Sequence, residues 1–223
     1  MNNQICKQLG IEFPLFAFSH CRDVVVEVSR AGGFGVLGGS SFTPESLEEE
    51  LRWIDTHIDG KPYGVDILIP ENLGDLAVCH SWEELRAQIP DTHRNFAMEL
   101  LKRYGIDAAS DALIEDRIPS IVDSVGERLL DVAFRHPIKL IVNALGVAPQ
   151  SMISRARKHD VLVGALVGAP EHAIRQVNAG VDVIVAQGGE AAGHCGEVST
   201  MVLVPEVISA VCLLYTSPSP RDS

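Results

Sequence analysis

Six short apolar runs, each leading into a longer amphipathic stretch, recur along this chain with no hairpin signal between any two of them. Strands joined this way pair in parallel, because a parallel neighbour is reached only by a crossover of a dozen or more residues. Leu15 to Phe18 reads as the first strand, followed by a helix over Val24 to Ala31 that Gly32 and Gly33 end as a C-cap would. Phe34 to Leu37 is the second strand. Thr43-Pro44-Glu45 then opens a helix with a capping oxygen, a proline in the first turn and an acid at the positive dipole end. Tyr63 to Ile69 is the third strand. From Pro70 to Arg117 the chain is polar and irregular, with helical pieces at Ser81 to Gln88 and Asn95 to Tyr104, and reads as an insertion or lid. Alternation resumes with a helix ending near Phe134, strand Leu140 to Asn143, helix Pro149 to Lys158 and strand Val161 to Leu166. A helix over Pro170 to Ala179, stopped by Gly180, leads to strand Val183 to Gln187, and a last helix begins near Pro205. The fold class is α/β with a parallel sheet. A doubly wound sheet and a (β/α)8 barrel both fit, although the barrel takes eight strands and about 250 residues.

With 223 residues, 46% of them hydrophobic, and a mean hydropathy of +0.15, the chain can bury the core of one domain. Lys and Arg number 18 against 30 Asp and Glu, a net charge of −12, and no basic cluster stands out, so nucleic acid is a poor partner. The five cysteines form no CxxC pair, which suits a reduced, cytoplasmic protein. No segment approaches the ~20 apolar residues of a membrane span. Glu12 and Pro14 interrupt any signal-peptide pattern.

The chemistry concentrates after the sixth strand. Val183 to Val185 is a β-branched run buried on both faces, and it breaks into Gln187-Gly188-Gly189-Glu190-Ala191-Ala192-Gly193-His194. The glycines leave backbone N–H groups unshielded, able to close on a flat or anionic ligand. A flexible connector with a solvated histidine would read similarly. The position decides for a site, since α/β proteins place ligands at the carboxyl ends of their strands.

The segment Gln187 to Gly196 resembles the Gln-Gly-x-Glu-Ala-Gly-Gly-His-x-Gly signature of nitronate monooxygenases, FMN-dependent TIM-barrel enzymes formerly called 2-nitropropane dioxygenases. Val28-Ser29-Arg30-Ala31-Gly32-Gly33-Phe34-Gly35 is similar to their N-terminal Val-Ser-x-Ala-Gly-Gly-x-Gly segment, and Pro62-Tyr63-Gly64-Val65-Asp66 to their Pro-Phe-Gly-Val-Asn strand. Leu203-Val204-Pro205-Glu206-Val207 matches the segment after the histidine loop, so the resemblance runs in order from Met1 to Val211.

The resemblance implies a TIM barrel, incomplete here with about six β/α units, and FMN as cofactor. Ala17, Phe18 and Ser19 would lie along the flavin, and Asp66 would stand where the family hydrogen-bonds the ring system with an asparagine. Gln187 would reach the flavin from strand six, Ala192 and Gly193 would offer backbone N–H groups, and His194 would act over the substrate as base or hydrogen-bond donor. The substrate would be a nitronate or nitroalkane with O2 as co-substrate, and no metal is implied. The chain departs from the family at Ala17-Phe18-Ser19 in place of Ala-Pro-Met, at Asp66, in Val142-Asn143-Ala144-Leu145-Gly146 where better-known members carry a histidine in strand four, and at Ala192 in place of glycine.

Other features carry less. Glu48-Glu49-Glu50 reads as a solvated helix face, Ser40-Ser41 as a turn, and Cys195 as a thiol with nothing to lower its pKa. His20 is a second polar candidate at the mouth, with an ordinary loop histidine as the equal alternative. Cys212 to Asp222 resembles a translated sequencing-library adapter, so residues 1–211 are expected to be the N-terminal part of one FMN-binding barrel domain with an insertion at 70–117, and 212–223 a non-native tail. Two alternatives stay open: an FMN-dependent enoyl reductase-like enzyme, and an inactive fragment.

Overall fold

A computed structural model of the chain describes residues 3–69, 87, 89–106, 123–191 and 196–211. Six strands form a single sheet: β1 (Phe16–Ser19), β2 (Phe34–Gly38), β3 (Tyr63–Asp66), β4 (Leu140–Asn143), β5 (Leu162–Val167) and β6 (Val183–Ala186). Every pair is parallel, and the order in the sheet is the order in the chain. That order decides between the two candidate architectures. A doubly wound sheet reverses its strand order at a switch point, whereas a (β/α)8 barrel adds each strand beside the last. The sheet is a curled, incomplete barrel.

The connecting helices are α2 (Arg22–Arg30), α3 (Pro44–His57), α5 (Asp123–Ala133), α6 (Gln150–Lys158) and α7 (Pro170–Ala179), with α1 (Gln4–Leu9), α4 (Asp91–Arg103) and α8 (Thr200–Ala210) completing the described set. Thr43 and Ser46 form a capping box at the start of α3, and Gly180 ends α7 in the left-handed region at φ 99°. Leu47, Leu51 and Ile54 repeat at helical spacing, so α3 buries one stripe against the sheet.

Strand alternation splits the core in two. Leu37, Val65, Ile141, Val163, Ala165 and Ile184 face outward and pack under the helices. Phe34, Val36, Leu140, Val142 and Val183 face inward. The short helix α1, which sequence reading overlooked, inserts Ile5, Cys6 and Leu9 into this inner cluster. It is capped by Asn3, whose side chain accepts from Ile5 N at 3.2 Å, and by Gly10 at φ 71°. It lies against strand starts, so it plugs the N-terminal end of the lumen. Each inner aliphatic that is fully buried contributes about 1.5–3 kcal/mol.

Three expectations shift. The helix expected over Asn95 to Tyr104 begins at Asp91, directly after Pro90. The third strand ends at Asp66 rather than Ile69. Beyond it, side chains replace the ladder: Ser40 Oγ accepts from Leu68 N (3.2 Å) and Asn143 Oδ1 from Ile69 N (2.9 Å). The last helix begins at Thr200, five residues before Pro205, which sits inside it. Glu190 provides the reason, because its carboxylate accepts from Thr200 N (2.8 Å) and Thr200 Oγ1 (2.9 Å) and so starts the helix early. Most of the expected piece Ser81 to Gln88, and all of Cys212 to Ser223, lie outside the described residues. Among the described residues no helix is long and apolar enough to cross a membrane.

Candidate active site

Because all strands are parallel, Ser19, Gly38, Asp66, Asn143, Val167 and Ala186 end on one rim, opposite the end plugged by α1. On β3, Gly64 faces inward, where an added Cβ would meet Phe34 and Leu140, so Asp66 two residues on faces the lumen at its open end. The residue is only 6% exposed, and among the described residues its buried Oδ1 has no hydrogen-bond partner. Desolvation raises the carboxyl from 3.8 to about 7.

Beside Asp66, its ladder partner Gly38 carries no side chain, and the space is used by neighbours. A Cβ there would lie 2.6 Å from both His20 Nδ1 and Phe18 Cζ. His20 Nδ1 is held 3.2 Å from Gly38 O, and the Phe18 and His20 rings meet edge to face at 5.0 Å. Phe18 is 56% exposed at the lumen mouth. Ala17 and Ser19 alternate to the other face, and Ser19 Oγ accepts from Cys21 N at 3.0 Å, so at those positions only backbone reaches the lumen.

Across the rim, buried Asn143 and Gln176 fix the loop after β4. Asn143 Nδ2 donates to Ile69 O (3.1 Å) and Leu145 O (3.0 Å). Gln176 Nε2 donates to Gly146 O (2.8 Å), while its Oε1 accepts from Ala148 N (3.1 Å). In the sequence Asn143 stands out only within the segment that departs from the family pattern, and Gln176 does not stand out at all. A polar residue closing the apolar run Leu140 to Val142 was the available signal for the first; an amide on a helix face gives none.

The loop after β6 is drawn together through glycines. Gly196 N donates to Gln187 O (3.2 Å), Gly189 N to Val198 O (2.7 Å), and the backbones of Gly168 and Gly196 touch. The carboxylate of Glu190 is lowered in pKa, chiefly by the Thr200 backbone hydrogen bond, so it serves as a clasp of the loop to α8. Gln187, with Ala144 to Val147, Leu166 to Pro170, His172, Arg175 and Gly196 to Val198, lines a cavity of about 570 Å³ on this rim. Ala192, Gly193 and His194 lie outside the described residues. Among the described residues no cluster of three or more metal-ligating side chains occurs.

The family profile for nitronate monooxygenase matches residues 5–213. The chain belongs to the nitronate monooxygenase family. Within it, a Mycobacterium tuberculosis protein named as a monooxygenase is 51% identical over 223 residues, covering 99% of this chain and 58% of that protein. A Staphylococcus saprophyticus protein named as a nitronate monooxygenase is 25% identical, covering 95% of this chain and 59% of its own length. The family member described here thus spans somewhat under two thirds of these relatives. Among solved structures, nitroalkane oxidase from Streptomyces ansochromogenes superposes with a TM-score of 0.73 at 19% identity, covering 95% of this chain and 59% of that one. FabK from Thermotoga maritima superposes at 0.66 with 21% identity, covering 96% and 53%. Both share the barrel fold.

Proposed function

We propose that the protein is an FMN-dependent oxidoreductase that uses O2 to oxidise nitronates or nitroalkanes with loss of the nitro group. Family membership supports the enzyme class. The observation that carries the site is Asp66: a buried carboxyl oxygen with no partner among the described residues faces the open end of the lumen, where the resemblance expects a group that hydrogen-bonds the flavin ring. A buried polar atom left unpaired is costly, so a ligand that pairs it is strongly favoured. Beside Gly38, the ladder partner of Asp66, Phe18 offers an apolar face that suits a flat heterocycle, and Gln187 adds an amide in the separate cavity on the same rim, which Asp66 does not line.

When bound there, FMN supplies the electron transfer and the reaction with O2. The backbone of Ala17, Phe18 and Ser19 would run along it, Asp66 and Gln187 would fix its ring, and Ala192 and Gly193 would present backbone N–H groups. His194 would take the proton from the carbon of a neutral nitroalkane, or donate to the oxygen of a nitronate. Free Cys6 and Cys21 suit a cytoplasmic location.

The test is reconstitution followed by kinetics. Protein incubated with FMN is expected to retain a flavin absorbance band through gel filtration; no retained flavin overturns the cofactor assignment. With flavin bound, His194→Asn should lose ~10²–10⁴ in rate on neutral nitroalkanes while keeping much of its rate on preformed nitronates. Oxidation of NAD(P)H with an enoyl thioester, and no turnover of nitronate, would instead assign the protein to a reductase.

A further inference from the structure

The surroundings of Asp66 determine more than its location. A carboxylate buried in a fold keeps its charge by accepting hydrogen bonds or by facing a cation. Among the described residues, the donors that flank it are committed elsewhere. Gly39 N donates to the backbone oxygen of Asp66 (2.7 Å), Ile67 N to Val142 O (2.9 Å), Leu68 N to Ser40 Oγ (3.2 Å) and Ile69 N to Asn143 Oδ1 (2.9 Å). The Asn143 amide hydrogens are directed to Ile69 O and Leu145 O.

The flanking strands add no compensating charge. β2 contributes Gly38, and β4 contributes Val142 and Asn143, all uncharged. Among the described residues, the titratable group resting on Gly38, the ladder partner of Asp66, is His20, whose Nδ1 is turned to Gly38 O. Among the described residues no charged partner acts on Asp66, and burial is what raises its pKa. A ligand covering the lumen mouth removes the remaining water and favours the neutral form further.

We propose that Asp66 binds its ligand as a neutral carboxylic acid, donating a hydrogen bond from its O–H, so that this position of the lumen selects an acceptor atom such as a ring carbonyl oxygen or an unprotonated ring nitrogen. The inference rests on the flavin reading above and adds the direction of the hydrogen bond. An asparagine at this position can donate or accept without titrating. An aspartic acid can donate only while it keeps its proton, so ligand affinity becomes a function of pH.

The experiment is a fluorescence titration of the full chain with riboflavin and with FMN from pH 6 to 9, using wild type and Asp66→Asn. Riboflavin carries the ring without the phosphate, which removes phosphate titration as a cause. The wild-type Kd is expected to rise about tenfold per pH unit above about pH 7, while that of Asp66→Asn stays flat. Parallel curves for the two proteins overturn the proposal. If neither protein binds either flavin, the cofactor reading fails by itself, and a ¹³C-carboxyl titration of the unliganded chain decides about Asp66. A midpoint near 7 supports the neutral acid, and an ionised carboxyl already at pH 5 overturns it.

Discussion

Asn143 holds Ile69 as one strand holds another: its Oδ1 accepts from Ile69 N at 2.9 Å and its Nδ2 donates to Ile69 O at 3.1 Å. The two residues lie 74 positions apart, and the pair ties the segment leaving β3 to the end of β4. A side chain thus replaces the ladder at the point where β3 stops at Asp66 and the rim begins. Asn143→Ala should leave both Ile69 groups without this partner. The expected cost is about 1–3 kcal/mol per orphaned group, read by urea denaturation, together with weaker flavin binding as the rim loosens. Unchanged stability would show that water replaces the amide fully.

The glycines of the loop after β6 should differ sharply in tolerance. A Cβ on Gly188 would collide with the backbone N and Oγ1 of Thr200, the two atoms that Glu190 grips. A Cβ on Gly189 would meet Gly196 O at 3.4 Å, an ordinary contact. Gly188→Ala is therefore expected to break the Glu190–Thr200 clasp and destabilise the fold by about 1–3 kcal/mol, with Gly189→Ala near neutral. Thermal melts of the two variants decide, and equal melting temperatures would contradict the clasp.

The parts of the fold governed by local rules were legible in the sequence. Strand Leu140–Asn143 and helix Pro170–Ala179 have the expected bounds, because a β-branched run and a Pro-to-Gly frame each mark their own ends. Alternation left barrel and doubly wound sheet equally open, since strand order is a tertiary property it does not encode; the family resemblance supplied the barrel, and the sheet order agrees with it. The end of β3 and the start of α8 were misplaced for a related reason. Each is set by a distant side chain, Asn143 in one case and Glu190 in the other. Of the candidate site, Asp66 is a candidate through the family resemblance alone, while its buried state, with no partner among the described residues, depends on Gly38, Val142 and the committed backbone donors around it.

Away from the rim, Asp55 joins two buried groups. Tyr63 Oη donates to its Oδ1 at 2.8 Å, and His136 Nδ1 lies 2.6 Å from its Oδ2. Tyr63→Phe removes one bond and should cost about 0.5–1.5 kcal/mol. Asp55→Ala orphans both partners and should cost clearly more, about 1–3 kcal/mol for each. Chemical denaturation of the two variants provides the comparison. A smaller loss for Asp55→Ala than for Tyr63→Phe would show that the tyrosine finds its support elsewhere.

The raised pKa of Asp66 also fixes how stability depends on pH. Its folded value of about 7 lies above the 3.8 of the unfolded chain, so between those values the folded state binds the extra proton. Below about pH 4 the carboxyl is protonated in both states and costs nothing. As pH rises toward 7 the unfolded chain gains from ionising its carboxyl, and the folded state loses stability relative to it; above 7 the loss levels off. Glu45, Glu48 and Glu190 act in the opposite sense, since their lowered values remove stability as pH falls. Comparison at each pH with Asp66→Asn cancels those contributions. The variant is expected to match wild type near pH 4, to gain on it progressively toward pH 7, and to hold a constant advantage at pH 8 to 9. A stability difference independent of pH, measured by denaturant midpoints of the two unliganded proteins, would mean that Asp66 ionises as readily in the folded lumen as in water.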